Sequence, residues 1–374
     1  MFRQITIFII CIVFSLFVSS AAVHAQTNQE YSRGKIESII EETEIRDTNG
    51  TTYIQKLEVK KQTGESVEIT FGSEQQPIDE KQRFQPGDQV IVVQQPTPEG
   101  SQESLIADRW RVPIFWWLSA LFFILVIAVA RQQGLSSIFG MIASVGVLLN
   151  FIVPQILQGA NPLFITLIGV LFIAGITMYL THGWNIESHV ALFSIVATLG
   201  VVAILSIISV QVAHLSGLGS EDAYYIQFSS EMKFNLQGLL LGGILLGALG
   251  VLDDICVAQV SVVRELLSVN KDLSFSELYT RAMAVGRDHV ASLVNTLVLA
   301  YAGANLPLFL LFSLNKQIPL WVTINQEIII EEVIRTLTGS IGLVFAVPMT
   351  TLIAVWMLHG KNTDPRPSYR AHRH

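Results

Sequence analysis

Apolar and polar positions alternate with different periods along the chain, and the changes of period divide it into four stretches. After Arg3, an apolar run from Ile5 to Val18 ends in Ser19-Ser-Ala-Ala-Val-His-Ala25. Small residues in that position suit cleavage, so residues 1–25 read as a signal peptide cut after Ala25. Residues 26–111 switch to short runs of period two, such as Tyr53-Ile-Gln-Lys-Leu-Glu-Val-Lys60 and Ser66-Val-Glu-Ile-Thr-Phe71, broken by Asp-Thr-Asn-Gly and Thr-Gly turns. Pro86-Gly-Asp88 then delivers the apolar run Gln89-Val-Ile-Val-Val93. The pattern predicts about five strands in a small all-β barrel of OB or SH3 type.

Residues 112–358 carry seven apolar stretches long enough for a hydrocarbon core of about 30 Å. They are placed at Pro113 to Ala130, Leu135 to Leu157, Pro162 to Leu180, Val190 to Leu215, Leu236 to Val263, Val290 to Leu314 and Leu337 to Leu358. Residues 359–374 form a polar tail. The expected architecture is a seven-helix transmembrane bundle preceded by an extracytoplasmic β domain. Ser274-Phe-Ser-Glu277 is a capping box that opens an amphipathic helix through Ala284, and Ile318 to Arg335 reads as an interfacial or partly re-entrant helix feeding the seventh crossing.

Composition agrees: 51% of the 374 residues are hydrophobic and 14% charged, with a mean hydropathy of +0.51. Acidic residues outnumber basic ones between Gln26 and Arg111, which argues against a nucleic-acid surface there. Of the two cysteines, Cys11 falls in the signal peptide and Cys256 in an apolar helix, leaving no pair for a disulfide or a cysteine-based metal site. Signal cleavage puts the β domain outside. Arg131, the group Arg264, Lys271, Arg281 and Arg287, and the tail with Lys361, Arg366, Arg370 and Arg373 then fall in the cytoplasm, as the positive-inside rule requires. Outer loops hold Lys233 and Lys316, with Arg335 near a helix start. The location implied is the cell membrane, with the C-terminus cytoplasmic.

Polar side chains are expensive in a bilayer, so those inside the apolar stretches are the candidates for function. Gly243, Gly247, Gly250 and Asp254 recur by four, three and four, a glycine groove leading to a carboxylate expected to face the bundle interior. Asp253 is about 100° around the helix from it, so both can face an interior cavity, though not identically. Asp288, Ser292 and Asn295 share a face of the sixth stretch; Arg335, Thr338, Gly339, Gly342 and Ala346 share one in the seventh, above Pro348. Each has a plainer alternative. The glycines, Gly339 and Gly342 included, pack helices; Asn295 is interhelical glue; Arg335 pairs with Glu331 or Glu332; Asp288 and His289 sit at the water boundary.

Several of these residues lie in longer segments that carry a resemblance: Leu180-Thr-His-Gly183, Leu245-Leu-Gly-Ala-Leu-Gly-Val-Leu-Asp-Asp254, Gly286-Arg-Asp-His289, Asn295-Thr-Leu-Val-Leu-Ala-Tyr-Ala-Gly303 and Arg335-Thr-Leu-Thr-Gly-Ser-Ile-Gly-Leu-Val344. Through them the chain resembles the YibE/F family of multi-pass bacterial membrane proteins. The resemblance implies the architecture and leaves the substrate open.

The favoured functional reading is a transporter or permease for an ion or small solute, its path lined by Asp254, Asp253, Asp288, Asn295 and Arg335. The alternative is a scaffold or assembly protein that binds a protein partner or a second copy through the β domain and the cytoplasmic helix. An intramembrane aspartyl protease built on Asp254 and Asp288 fits poorly, since Val-Leu-Asp-Asp is not the Gly-x-Gly-Asp loop of that class. His182, His189, His214 and His289 lack paired ligand spacing, and no Gly-Lys-Ser/Thr loop is present, so no cofactor or metal is expected.

Overall fold

In the computed structural model, residues 30–47, 50–73, 75–96, 102–229, 233–314 and 318–359 are described. The expected signal peptide and most of the tail, with Lys316, lie outside them. The chain forms two compact units, one ending at Ala128 and the other beginning at Val129.

The first unit is an antiparallel sheet of β1 (Glu30–Asp47), β2 (Gly50–Lys61), β3 (Ser66–Phe71), β4 (Ile78–Asp79), β5 (Gln89–Pro96) and β6 (Gln102–Arg109). Its order is β3-β2-β1-β5-β6, with β4 paired to β2. The 18-residue β1 serves two partners, and bulges between Ile36 and Ser38 and between Ile39 and Glu41 bend it. That bend curls the sheet until β3 and β6, at its two ends, come together. The result is a half-barrel closed over Ile36, Leu57, Val59, Ile69, Phe84, Val90, Val92 and Ile106. Leu57 and Val59 alternate with the outward Lys56, Glu58 and Lys60, the period-two signal of the sequence. Gln55 is buried because the Phe84 backbone answers both ends of its amide: Oε1 accepts from Phe84 N at 2.8 Å and Nε2 donates to Phe84 O at 3.1 Å.

The helices are α1 (Val112–Val147), α2 (Val153–Leu157), α3 (Pro162–His182), α4 (Ile186–Val212), α5 (Glu221–Ser229), α6 (Leu236–Val269), α7 (Phe275–Ala304), α8 (Leu306–Leu314), α9 (Leu320–Ile324) and α10 (Glu327–Leu358). A π-helical turn, Leu148–Ile152, joins α1 to α2. Among the described residues, five helical runs are long and apolar enough to cross a membrane: Val112–Leu157, α3, α4, α6 and α10. Seven separate crossings were expected, and two features account for the difference. The first two stretches fall in one 46-residue run, interrupted where Arg131 takes φ 52° and ψ −124°. The sixth is split between α7 and α8: Asn305 Nδ2 donates to Tyr301 O at 3.0 Å, ending α7, and Pro307 opens α8 without an N–H to offer. The amphipathic helix from Phe275 continues into α7 without a stop, and Glu327 to Arg335 are the first turns of α10 rather than a separate interfacial helix.

Helices α4, α6 and α10 pack mutually, α3 lies on α6, and α7 lies on α10. The close approaches use glycine and small residues, but largely not those the spacing singled out. A Cβ on Gly342 of α10 would overlap Val202 of α4, one on Gly286 of α7 would overlap Val347 of α10, and one on Gly242 would lie 2.7 Å from Thr166 Oγ1 of α3. By contrast Gly243, Gly247 and Gly250 are exposed, and a Cβ on Gly243, Gly250 or Gly339 would meet nothing within 4 Å. The expected glycine groove is therefore not a helix contact. The opposite side of α6 carries Leu241, Ile244, Leu245, Leu252 and Ile255, whose bulk offers far more dispersion contact, and that side is buried.

This assignment predicts opposite outcomes for two similar changes. Gly342→Ala should destabilise by about 1–3 kcal/mol through overpacking against Val202. Gly247→Ala, whose Cβ would meet only Tyr301 Oη at 3.7 Å, should be neutral or stabilising by up to about 1 kcal/mol through helix propensity. Thermal unfolding of the purified protein in detergent checks both.

Candidate functional site

Three cavities follow one another along α6, and a fourth, about 270 Å³, lies apart between α7, α8 and α10, lined by Tyr301, Asn305, Glu332 and Leu337. The first cavity, about 270 Å³, lies at the start of α6 and is bounded by Leu239, Gly243 and Leu246 of α6, Thr166 of α3, Leu148 after α1, and Glu331 and Arg335 of α10. A second, also about 270 Å³, is lined by Leu246, Gly250 and Asp253 of α6, Thr177 of α3, and Ser144 and Leu148. The third, about 350 Å³, is lined by Val257, Ser261 and Arg264 of α6, Thr181 and His182 of α3, Glu187 and Gln133. Leu148 and Leu246 belong to both the first and the second. Among the α6 positions that line the cavities, 239, 243, 246, 250, 253, 257, 261 and 264 recur by three and four and form a stripe, flanked by Leu236, Leu240, Gly242, Leu249 and Val260. From Leu239 to Arg264 that stripe is about 38 Å long, at 1.5 Å per residue, more than the thickness of a hydrocarbon core.

Each cavity holds charge. In the first, Arg335 Nε lies 3.6 Å from Glu332, so the expected ion pair is made with Glu332 rather than Glu331. In the second, Asp253 Oδ1 is buried and accepts no hydrogen bond. In the third, Arg264 pairs with Glu187, two side chains that are 21% and 12% exposed. Buried charges are normally paired, as Glu187 and Arg264 are, which makes Asp253 the exception within the stripe.

Asp254 is exposed, on the side of α6 that carries Gly247, and lies within electrostatic reach of His289 of α7. It was expected to point inward; a turn of about 100° places its neighbour Asp253 there instead. Asp288 and Asn295 are also exposed and line none of the three cavities. The last two turns of α7 are largely exposed and face Ile329, Val333 and Leu337 of α10 across the fourth cavity, and the expected meeting of the fifth, sixth and seventh stretches does not bring Asp254, Asp288 and Asn295 together.

At the end of the bundle where α6 and α10 begin, the turn after α4 is clasped to α10. Glu327 Oε1 accepts from Ser216 N at 2.6 Å, Ser216 Oγ at 2.7 Å and Gly217 N at 3.1 Å, and Glu331 Oε1 accepts from Gly219 N at 3.1 Å. Gly217, at φ +85°, lies so close to the Leu236 backbone that a Cβ would come within 2.5 Å of it, and a Cβ on Gly219 would come within 2.6 Å of the Glu331 carboxylate. Gln237 Nε2 completes the clasp by donating to Leu215 O at 2.9 Å. Gly217, Ser220 and Ala223 border the first cavity, so the clasped segment forms part of its wall.

Ser144, Thr177, the Glu187–Arg264 pair and the clasp were not singled out from the sequence. Glu187 and Arg264 sit at helix ends where charge is ordinary, and Ser144 and Thr177 are small hydroxyls in apolar runs. Only their convergence on one stripe of α6 distinguishes them.

Replacing Glu327 by Gln should weaken the charge-assisted contacts of the clasp and open the first cavity. In detergent, a cysteine placed at Ala223 should then react with a maleimide about tenfold faster, a change equivalent to about 1.4 kcal/mol in opening. Unchanged labelling would show that the clasp does not hold this wall of the cavity.

No curated protein and no solved structure matches the chain. Residues 118–360, more than half of the 374, match the family described as YibE/F-like protein. The chain belongs to the YibE/F family.

Proposed function

We propose that the chain is a transporter or permease that moves an ion or small solute along the α6 stripe, with the bundle in the cell membrane, the β unit outside and the C-terminus in the cytoplasm. The observation that carries this reading is the ordered series of three cavities on one helix face, with an unpaired carboxylate in the middle one. Intramembrane ionisable groups facing a cavity are the usual mark of an ion or solute pathway. The path differs from the one expected: it runs between α3, α6 and the second half of α1, and Arg335 of α10 borders only its first cavity.

Seven crossings fit this reading. A 46-residue run is about 69 Å long at 1.5 Å per residue, enough for two passes, and it is interrupted at Arg131. α7 with α8 would supply the sixth pass. The strand order β3-β2-β1-β5-β6, with its ends brought together, is that of an OB-like barrel, which we propose for the β unit. Transport then calls for no bound cofactor and no catalysis.

A second reading is favoured by the exposed side of α6 and α7. Gly247, Asp254, Asp288, Ser292 and Asn295 form a surface of small and polar residues that a partner helix or second copy could cover, as an assembly protein requires.

Liposomes holding the purified protein separate the two. Against a panel of ions and small solutes, Asp253→Asn should lower the initial rate by about tenfold or more, whereas Asp254→Asn and Asp288→Asn should stay within about twofold of the parent. Flux unaffected by Asp253→Asn would place the path elsewhere. Absence of flux across the panel, with recovery of a stable crosslinked partner, would favour the assembly reading.

A further inference from the structure

The middle cavity differs from the other two in the kind of polar atom it presents. Its polar side chains are Ser144, Thr177 and Asp253; the remaining lining is apolar apart from Gly250. Ser144 Oγ donates to Gly140 O at 2.9 Å, and Thr177 Oγ1 donates to Ile173 O at 2.9 Å, with Ala174 O at 3.3 Å. A hydroxyl has one proton and two lone pairs, so both protons are committed to the helices' own carbonyls and only lone pairs are left. Lys, Arg, His, Asn and Gln are absent from the lining, and the surrounding backbone N–H groups are used within the helices. The cavity therefore offers acceptors and no donor.

Five buried polar side-chain atoms among the described residues lack a hydrogen-bond partner: Ser206 Oγ, Gln227 Oε1, Asp253 Oδ1, Arg335 Nε and Ser340 Oγ. Asp253 supplies the one carboxylate oxygen in that set. An anion or a neutral donor-poor solute would find nothing to bind in the middle cavity, whereas a cation would pair with the ionised carboxylate of Asp253, a residue that lines it. The available ligands are all oxygen, the preference of hard cations, with no sulfur or imidazole to attract a transition metal. One carboxylate balances one positive charge.

We propose that Asp253, Ser144 and Thr177 form a binding site for a monovalent alkali-metal cation. The inference deepens the transport reading by giving its middle cavity a substrate or coupling ion, and it rests on that reading for its purpose though not for its chemistry. Gly250 keeps the helix wall at the site free of side chain, and a Cβ there would meet nothing within 4 Å.

Equilibrium binding and flux test different parts of this. The full chain in detergent is unfolded by heat in lithium, sodium or potassium chloride, with N-methylglucamine chloride at the same ionic strength and fixed pH as the reference. The unfolding midpoint should rise with the concentration of at least one alkali cation and not with N-methylglucamine. The near-isosteric Asp253→Asn should abolish the rise, and Thr177→Val should shift its half-point to about tenfold higher cation concentration. Equal midpoints in all four salts, an undiminished cation response in Asp253→Asn, or a midpoint that follows pH alone would overturn the site. A cation response without flux in liposomes would retain the site and remove the transport reading. Flux together with equal midpoints in all four salts would do the reverse.

Discussion

A polar group buried among apolar helices must find its hydrogen bonds inside the protein, and the arrangement of the helical unit follows from how that requirement is met at Gln259. This amide is 2% exposed. Its Nε2 donates to Ala282 O of α7 at 3.0 Å and to Thr351 Oγ1 of α10 at 2.7 Å, so one side chain of α6 uses both its protons on two other helices. A Cβ on Gly286 would lie about 3 Å from the same amide and overlap Val347, so the glycine leaves the space in which the three helices meet. One turn away, Thr350 Oγ1 donates to Cys256 Sγ at 3.2 Å. These contacts hold α6, α7 and α10 in one register, and Gly342 against Val202 sets α10 on α4.

With that side of α6 committed to packing, its other stripe is left for α3 and the second half of α1, where side chains do not fill the space. Gly243, Gly250 and Asp253 fall there and line the first two cavities, with Val257, Ser261 and Arg264 lining the third. The two ends are each closed by charge held in place: carboxylates of α10 on the backbone N–H groups of residues 216–219, and Arg264 on Glu187. Between them the unsatisfied oxygen of Asp253 stands out against the satisfied amide of Gln259, although both belong to the same helix.

The β unit obeys the same rule by different means. Its buried Gln55 is answered by the Phe84 backbone, and Asp88 at the turn before β5 receives Gln85 N and Arg109 Nη1, each at 3.0 Å. Gly87 takes φ +103° at that turn, as the Pro-Gly-Asp signal implies, and Arg33 stacks over Trp110 at 3.8 Å. These contacts tie β2 and β6 to the segment between β4 and β5, and β1 to the residue after β6.

Local pattern determined the element types: period-two runs became β2, β3 and β5, and long apolar runs became helices, because each signal depends on residues within a few positions of one another. The capping box at Ser274 and the family segments were legible for the same reason. Which side of α6 is buried was not. Counting every fourth residue finds that Gly243, Gly247, Gly250 and Asp254 share a face, but the face that packs is chosen by the shapes of α4 and α10, far away in sequence. The exchange of roles between Asp254 and Asp253 follows from that choice, as does the pairing of Glu187 with Arg264, 77 positions apart by subtraction of their numbers. Sequence alone thus determined the helices, the strands and the residues worth suspecting. Only tertiary packing decided which carboxylate faces a cavity, because a helix presents every residue to some neighbour and cannot itself specify which.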